Sequence, residues 1–224
     1  DNVLKETVRS YDETGVLLDL REVENSAFDF RGNVLKSTAK TFDDKGALID
    51  IQKMINYAFD AFGNILEQKV ETYNAEETLI DSQLITSIGF NSRGIPKQRT
   101  VRTFDDKGSL IDVEITKNLK SDAKGNVTDQ LIETYDADGK LQGKTEVKNT
   151  DFNRRGVPAR TERKNFDDAG NLIDRQLVRN LKVDSRGFVL EQIVETFDDK
   201  DKLVDRQEDV NLELDAKGNP KKTE

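Results

Sequence analysis

The chain contains no cysteine and no histidine. Disulfide frameworks and thiol chemistry are therefore excluded, and the side chain that most often serves as a general base is missing. No G-x-S-x-G nucleophile elbow and no glycine-rich phosphate loop takes their place. Carboxylates are plentiful, but they recur throughout the chain, whereas an active site is a unique constellation. No catalytic and no cofactor-binding residue is expected. Proline is limited to three residues, and no window approaches the roughly 18–20 apolar residues of a membrane span. Hydrophobic residues make up 34% and charged residues 35%, against roughly 45–50% and ~25% in ordinary globular domains. A conventional two-layer core for 224 residues would be short of apolar material. The scarcity of proline and a strict apolar rhythm argue against disorder, which leaves an extended fold that buries little per residue. A net charge of −9 sets the chain against nucleic acid and anionic membranes as partners.

What the sequence has in abundance is repetition. Phe42-Asp43-Asp44-Lys45-Gly46-Ala47-Leu48-Ile49-Asp50 has near-copies at Phe104 to Asp112 and at Phe166 to Asp174. Looser copies start at Tyr11, Tyr73, Tyr135 and Phe197, and the step from each start to the next is always 31. A second series, F-D-x-x-G-N-V/I-L in its clearest copies, starts at Phe28, Phe59, Phe90, Ser121, Phe152, Val183 and Leu214. It too steps by 31, and it interleaves with the first at alternating spacings of 17 and 14. A fixed period of this size marks a repeat architecture. Asp1-Asn2-Val3-Leu4 aligns with Gly32-Asn33-Val34-Leu35, and the chain stops inside a repeat at Glu224. The expectation is one array over residues 1–224, about seven repeats, cut from a longer protein whose targeting signals lie elsewhere.

Each copy reads as an aromatic, Asp or Asn, two polar residues, Gly, then a strand. Gly supplies the positive φ of a tight reversal, and the Asp or Asn can bond its own following backbone. Apolar residues flank the turn, as in Phe42 and Leu48, in the manner of a hairpin closed by a cross-strand pair. The segments between turns, such as Ile65 to Tyr73, are rich in Val, Ile, Thr and Leu and read as strands. Pro96, Pro158 and Pro220 share one post-turn position, where a strand begins and tolerates a missing donor. Two arrangements compete. A parallel solenoid would stack identical positions about 4.8 Å apart, and an antiparallel meander would hold them two strands, roughly 9–10 Å, apart. Asp19, Asp50, Asp81, Asp112, Asp174 and Asp205 share one repeat position, and Asp12, Asp43, Asp105, Asp136, Asp167 and Asp198 another. Stacking like charges in adjacent strands is destabilising, which favours the meander. The expected fold is all-β, two antiparallel strands per repeat, about fourteen strands forming an extended, twisted or spiralling meander.

In that meander the two turn series lie on opposite edges. Over the four residues after each aromatic, the first edge carries −12 and the second +2, where Arg31, Arg93, Lys124, Arg154, Arg155, Arg186 and Lys217 offset the acids. The surplus of the longer connecting segment over the shorter one implies a bulge or an overhang. A slower rhythm, at twice the motif step, is superimposed. Segments 36–41, 97–103 and 159–165 are net basic, and 66–72, 128–134 and 190–196 are net acidic. Four strands therefore form the full unit, with basic and acidic strands meeting across turns of a spiral or between molecules, or with the alternation a mere trace of duplication. Asp136-x-Asp138-Gly139 resembles the start of a calcium loop, but no bidentate Glu follows at the right distance. No metal-ligating residue is assigned, and the expectation is loose calcium association along the acidic edge. The Asn column at 25, 56, 118, 149, 180 and 211, with Gln52, Gln83, Gln176 and Gln207, is placed to form amide ladders or simply to wet one face. The Thr column at 41, 72, 103, 134 and 196 lacks the T-x-T grid of an ice-binding surface.

Tyr135-Asp136-Ala137-Asp138-Gly139-Lys140-Leu141 and Tyr11-Asp12-Glu13-Thr14-Gly15-Val16-Leu17 resemble the Y-D-x-x-G-x-L core of bacterial YD repeats, found in RHS proteins and teneurin-like shells. Phe42 to Leu48 and Phe166 to Leu172 match with Phe in place of Tyr. The resemblance implies β-hairpins wound into a spiral shell or a surface structure, often around a toxic C-terminal domain, and carries over no catalytic residue. Together these readings predict a structural, extracellular or cell-surface bacterial protein, a filament, stalk or shell wall that self-associates through sheet edges or ends, and not an enzyme. An RHS-like toxin capsule or an adhesin is the rival reading.

Overall fold

A computed structural model describes residues 4–11, 16–184, 187–214 and 220–223. The turns expected over residues 12–15 and 215–219, Arg186, and the side chain of Asn211 lie outside the described residues. Among the described residues the structure is all-β, with fifteen strands. The even-numbered ones run twelve residues, except β6, which has ten like most of the odd ones: β2 (Leu17–Phe28), β4 (Leu48–Phe59), β6 (Leu79–Ile88), β8 (Leu110–Ser121), β10 (Leu141–Phe152), β12 (Leu172–Val183) and β14 (Leu203–Leu214). Between them run β1 (Lys5–Tyr11), β3 (Val34–Asp43), β5 (Ile65–Asn74), β7 (Gln98–Asp105), β9 (Val127–Asp136), β11 (Pro158–Asp167), β13 (Val189–Asp198) and the short β15 (Pro220–Thr223). Their order in the sheet is their order in the sequence. The main chain divides into a first unit, Asp1–Phe90 with Arg99–Val113, and a second, Asn91–Gln98 with Glu114–Glu224.

The expected reversals are there, and their hydrogen bonds explain the motif. In each of twelve turns the first residue's N–H donates to the fifth residue's carbonyl, as from Asp43 to Ala47 at 2.8 Å. The fourth residue's N–H donates back to the first residue's carbonyl, as from Gly46 to Asp43 at 3.1 Å. Gly46 has φ of +81°, the left-handed region that only glycine enters without strain. Two turns do without glycine. Glu77 and Asp201 take its place at φ of +60° and +64°, each at a cost of about 1–2 kcal/mol.

Strand pairing is antiparallel between sequence neighbours, and the closing pairs are the apolar ones, Phe42 with Leu48 and Tyr73 with Leu79 in the first unit, and Phe166 with Leu172 and Phe197 with Leu203 in the second. The longer strands take up their surplus as bulges. Ile49 is left over between Leu48 and Asp50, which pair with Phe42 and Thr41. Tyr57 is left over between Asn56 and Ala58, which pair with Gln68 and Glu67. In β12 the leftover residues are Ile173 and Leu181. Burial is thin, as the composition demands. Among the described residues the buried apolar side chains are Ala39 and Ile51 in the first unit and Val147 and Leu177 in the second.

The meander separates identical acids but brings different ones into register. Asp19 pairs with Asp43 and Asp174 with Asp198. Each pair turns to separate donors: Asp19 accepts from Ser10 Oγ at 2.9 Å while Asp43 folds onto its own turn, and Asp174 accepts from Asn165 Nδ2 at 2.7 Å while Asp198 accepts from the N–H groups of Lys200 and Lys202 in its own turn.

Candidate functional site

Surface chemistry in this protein is distributed along the turns and strands. At the turns, Oδ1 of the first residue accepts from the N–H groups of the third and fifth. For Asp43 the donors are Lys45 at 2.9 Å and Ala47 at 2.7 Å. Asn74 and Asn91 do the same with Oδ1 alone. Where the fifth residue is Asn, its Nδ2 also donates to Oδ2, as in Asn33 to Asp29, Asn64 to Asp60, Asn126 to Asp122 and Asn171 to Asp167. These side-chain bonds, with the backbone donors, hold Asp60, Asp122 and Asp167 below the ordinary carboxylate range. Asp29 is also lowered: partial burial pushes it up, and the donors from Asn33 and Arg31 outweigh that. At Asp105 the N–H of Ser109 is the main cause of a like lowering.

The calcium reading of Asp136 and Asp138 meets the same geometry. Oδ1 of Asp136 accepts from the N–H groups of Asp138 and Lys140, and Oδ2 accepts from Gln142 Nε2 at 2.7 Å. Among the described residues no group of three or more acidic side chains is gathered to hold a metal ion.

The two turn edges are built differently. On the second edge, turns lie against one another. Arg31 Nη1 donates to the carbonyls of Asp60 and Ala61 at 3.1 and 3.3 Å, in the next turn of that edge. Arg93 reaches Asn126, which is only 3% exposed, and Asn91 Nδ2 donates to the Gly125 carbonyl at 3.1 Å. Arg155 lies against Gly187. These arginines stand at the third position of every other turn of that edge. A Cβ on Gly156 would come within 2.6 Å of Asn126 Oδ1 and 2.9 Å of Arg93 Nη1, whereas one on Gly46, Gly108, Gly139 or Gly170 of the first edge would meet nothing within 4 Å. Two phenylalanines crown the packed edge in the first unit, Phe30 at 97% and Phe62 at 90% exposure.

Along the strands the Asn column forms a relay and not a ladder of stacked amides. Asn56 Nδ2 donates to the Val34 carbonyl, and its Oδ1 accepts from Gln68 Nε2, both at 2.8 Å. Asn118 joins the Pro96 carbonyl and Gln130, and Asn149 joins the Val127 carbonyl and Thr161. Asn180 reaches the Pro158 carbonyl at 2.8 Å. The Asn56 and Asn149 relays each tie three consecutive strands, and the Asn118 relay ties the segment before β7 to β8 and β9. The Thr column stands in register with the Asp column, Thr41 opposite Asp50 and Thr196 opposite Asp205.

The acidic strands find their bases inside each unit, on the same strand or on the neighbouring longer one. Glu71, Glu133 and Glu195, one in every other repeat, are half-buried on the acidic strands. Glu71 pairs with Lys69 at 2.7 Å, Glu133 with Lys117 of β8 at 2.7 Å, and Glu195 with Arg179 of β12 at 2.8 Å. The hydrogen bond between them raises Lys69 and lowers Glu71, and the bond from Glu133 raises Lys117. Opposite charges thus meet on neighbouring strands or within one strand. Cations also cap the closing aromatics, Lys53 over Tyr73 at 4.2 Å and Arg175 over Phe197 at 4.1 Å. Between β8 and β11 in the second unit, Leu119, Leu131, Glu133, Lys144, Val147 and Glu162 line a groove of about 300 Å³.

Neither the exposed pair Phe30 and Phe62 nor a row of bulge residues was singled out by sequence pattern. Leu18, Ile49, Ile80, Ile111, Ile173 and Val204 recur at one position of the first edge and are each 49–59% exposed. Their regular spacing is visible in the sequence, but their exposure depends on the bulge.

The fold defines a β-hairpin repeat protein. No family model matches the sequence, and neither does any curated protein. Solved structures to which the chain is similar include a eukaryotic initiation factor, at 8% identity and a TM-score of 0.36 over 91% of this chain and 77% of that one. They also include the TcdB2-TccC3 toxin protein, at 15% identity and a TM-score of 0.20 over 98% of this chain and 14% of that one. The Photorhabdus luminescens Tc holotoxin pore matches at 14% identity and a TM-score of 0.21, over 97% of this chain and 13% of that one. The chain thus spans a small part of the toxin chains.

Proposed function

We propose that this chain is a structural repeat protein of the extracellular space or cell surface, the body of a filament, stalk or shell wall. One observation carries the reading: the same hydrogen-bonded turn recurs twelve times, at an unbroken period, with its relay and charge clasps repeated alongside. Such an array presents one surface over and over, which suits a load-bearing or enclosing role. Its sheet edge is a ready template for association. Asn25 N–H donates to the Leu4 carbonyl, so in the register of β1 and β2 the main-chain groups of Lys5, Thr7 and Arg9 face away from β2. A further strand of the same kind, from an adjoining repeat or another copy, would pair there. Light scattering over rising concentration tests this, and Thr7→Pro, which removes an outward donor and leaves the bonds to β2, is expected to weaken association. A chain that stays strictly monomeric at high concentration would overturn the self-assembly reading. A binding module of the adhesin type, or a wall of an RHS-like capsule, is the second reading, favoured by Phe30 and Phe62 on adjacent turns; under it, replacing both by Ala abolishes ligand capture and leaves self-association intact.

A further inference from the structure

We propose that the acidic turn edge of the first unit docks the cationic turn edge of a second copy of this chain, so that arrays lie side by side. The proposal rests on the self-association put forward above but assigns it to turn edges and not to terminal strands. Leu18, Ile49, Ile80 and Ile111 form a row of half-exposed aliphatic side chains in the first unit. Equivalent positions of successive repeats in a meander are two strand spacings apart, roughly 9–10 Å, so the row is evenly pitched. Each is followed in sequence by an acid, Asp19, Asp50, Asp81 and Asp112. The opposite edge of the second unit carries the counterpart. Leu181, left over in β12, and Leu119 at the equivalent position of β8 are 59% and 58% exposed, and each is followed by a lysine, Lys182 and Lys120, both exposed. Arg93, Lys124, Arg154 and Arg155 are exposed on the neighbouring turns.

The Leu-Lys pairs recur at twice the step of the Ile-Asp row, with Thr150 and Asp151 at the position between them. A contact made once between two copies is therefore made again at every second Ile-Asp step, a match of pitch that an unrelated partner lacks. The contact is heterologous, one edge against the other, and a heterologous contact that does not close extends indefinitely. The bulge alone explains a β-branched residue but not an apolar one, because threonine has the same backbone preference.

That distinction supplies the experiment. Sedimentation velocity of the whole chain is run at 0.1 M and 1 M salt, where the Debye length is about 10 Å and about 3 Å. The variants are Ile49→Thr/Ile80→Thr/Ile111→Thr, its Val counterpart, and Lys120→Glu/Lys182→Glu. The Thr triple variant and the charge reversal are each expected to weaken association by about tenfold or more, as does 1 M salt, while the Val counterpart associates like the parent. If the parent associates and both variants do so equally well, turn-edge docking is wrong and self-association stands. If the parent is monomeric throughout, both fall.

Discussion

At the scale of the residue, the fourth turn position separates two demands. Gly46 needs only its backbone conformation, since a Cβ there meets nothing, whereas Gly156 needs the conformation and the space that Asn126 and Arg93 leave it. Gly46→Ala is expected to cost about 1–2 kcal/mol, and Gly156→Ala at least about 3 kcal/mol, read from chemical denaturation. The first position follows an equally local rule. Every turn whose fifth residue is Asn begins with Asp, because the Asn amide needs a second acceptor oxygen that an Asn in the first place would replace with a donor. Asp60, lowered chiefly by Asn64, has a folded pKa below its ordinary value of 3.8. Its contribution to stability is complete above that value and is lost as pH falls through the lowered one. The stability gap between the parent and Asn64→Ala should therefore narrow as pH drops below about 4; a gap constant across that window would count against the linkage. The glycine conformation and the bond from the first residue to its own backbone were legible in the sequence, since each concerns residues within five positions of one another, whereas the crowding of Gly156 by Arg93 and Asn126 was not.

Element by element, legibility declines with sequence distance. The alternation of longer and shorter strands follows from the 17 and 14 spacings, and the closing pairs follow from the motif. The Asn column was visible, but its partner was not, because Asn118 seeks the main-chain carbonyl of Pro96, just before β7, which no side-chain pattern marks. Asn118→Leu should cost about 1–3 kcal/mol, since it strands that carbonyl and the Gln130 amide in a half-buried place. Adding Gln130→Leu should restore part of the loss, and a thermal-melt cycle over the four proteins checks it. The aliphatic row was hidden for another reason. Simple alternation assigns Ile49 to one face of β4, and only the bulge that Ile49 itself forms between Leu48 and Asp50 breaks that count.

For the molecule as a whole, the repeat that matters has twice the length of the motif. Arg31, Arg93 and Arg155 each reach into the following turn, and Glu71, Glu133 and Glu195 each gather bases, all at this doubled step. The charge rhythm announced this doubling in the sequence; that it would also govern turn packing was not foreseeable, since Arg31 reaches main-chain carbonyls of another turn. Removing residues 48–109 should leave Arg31 beside a turn of the kind it already meets, and amide exchange near the junction should match the parent. Removing residues 48–78 should set the turns of Arg31 and Arg93 next to each other and speed exchange there by about tenfold. Growth or loss of such a chain during its history is thereby restricted: it keeps its fit when it changes by an even number of motifs, and an odd step leaves a seam that every later copy inherits.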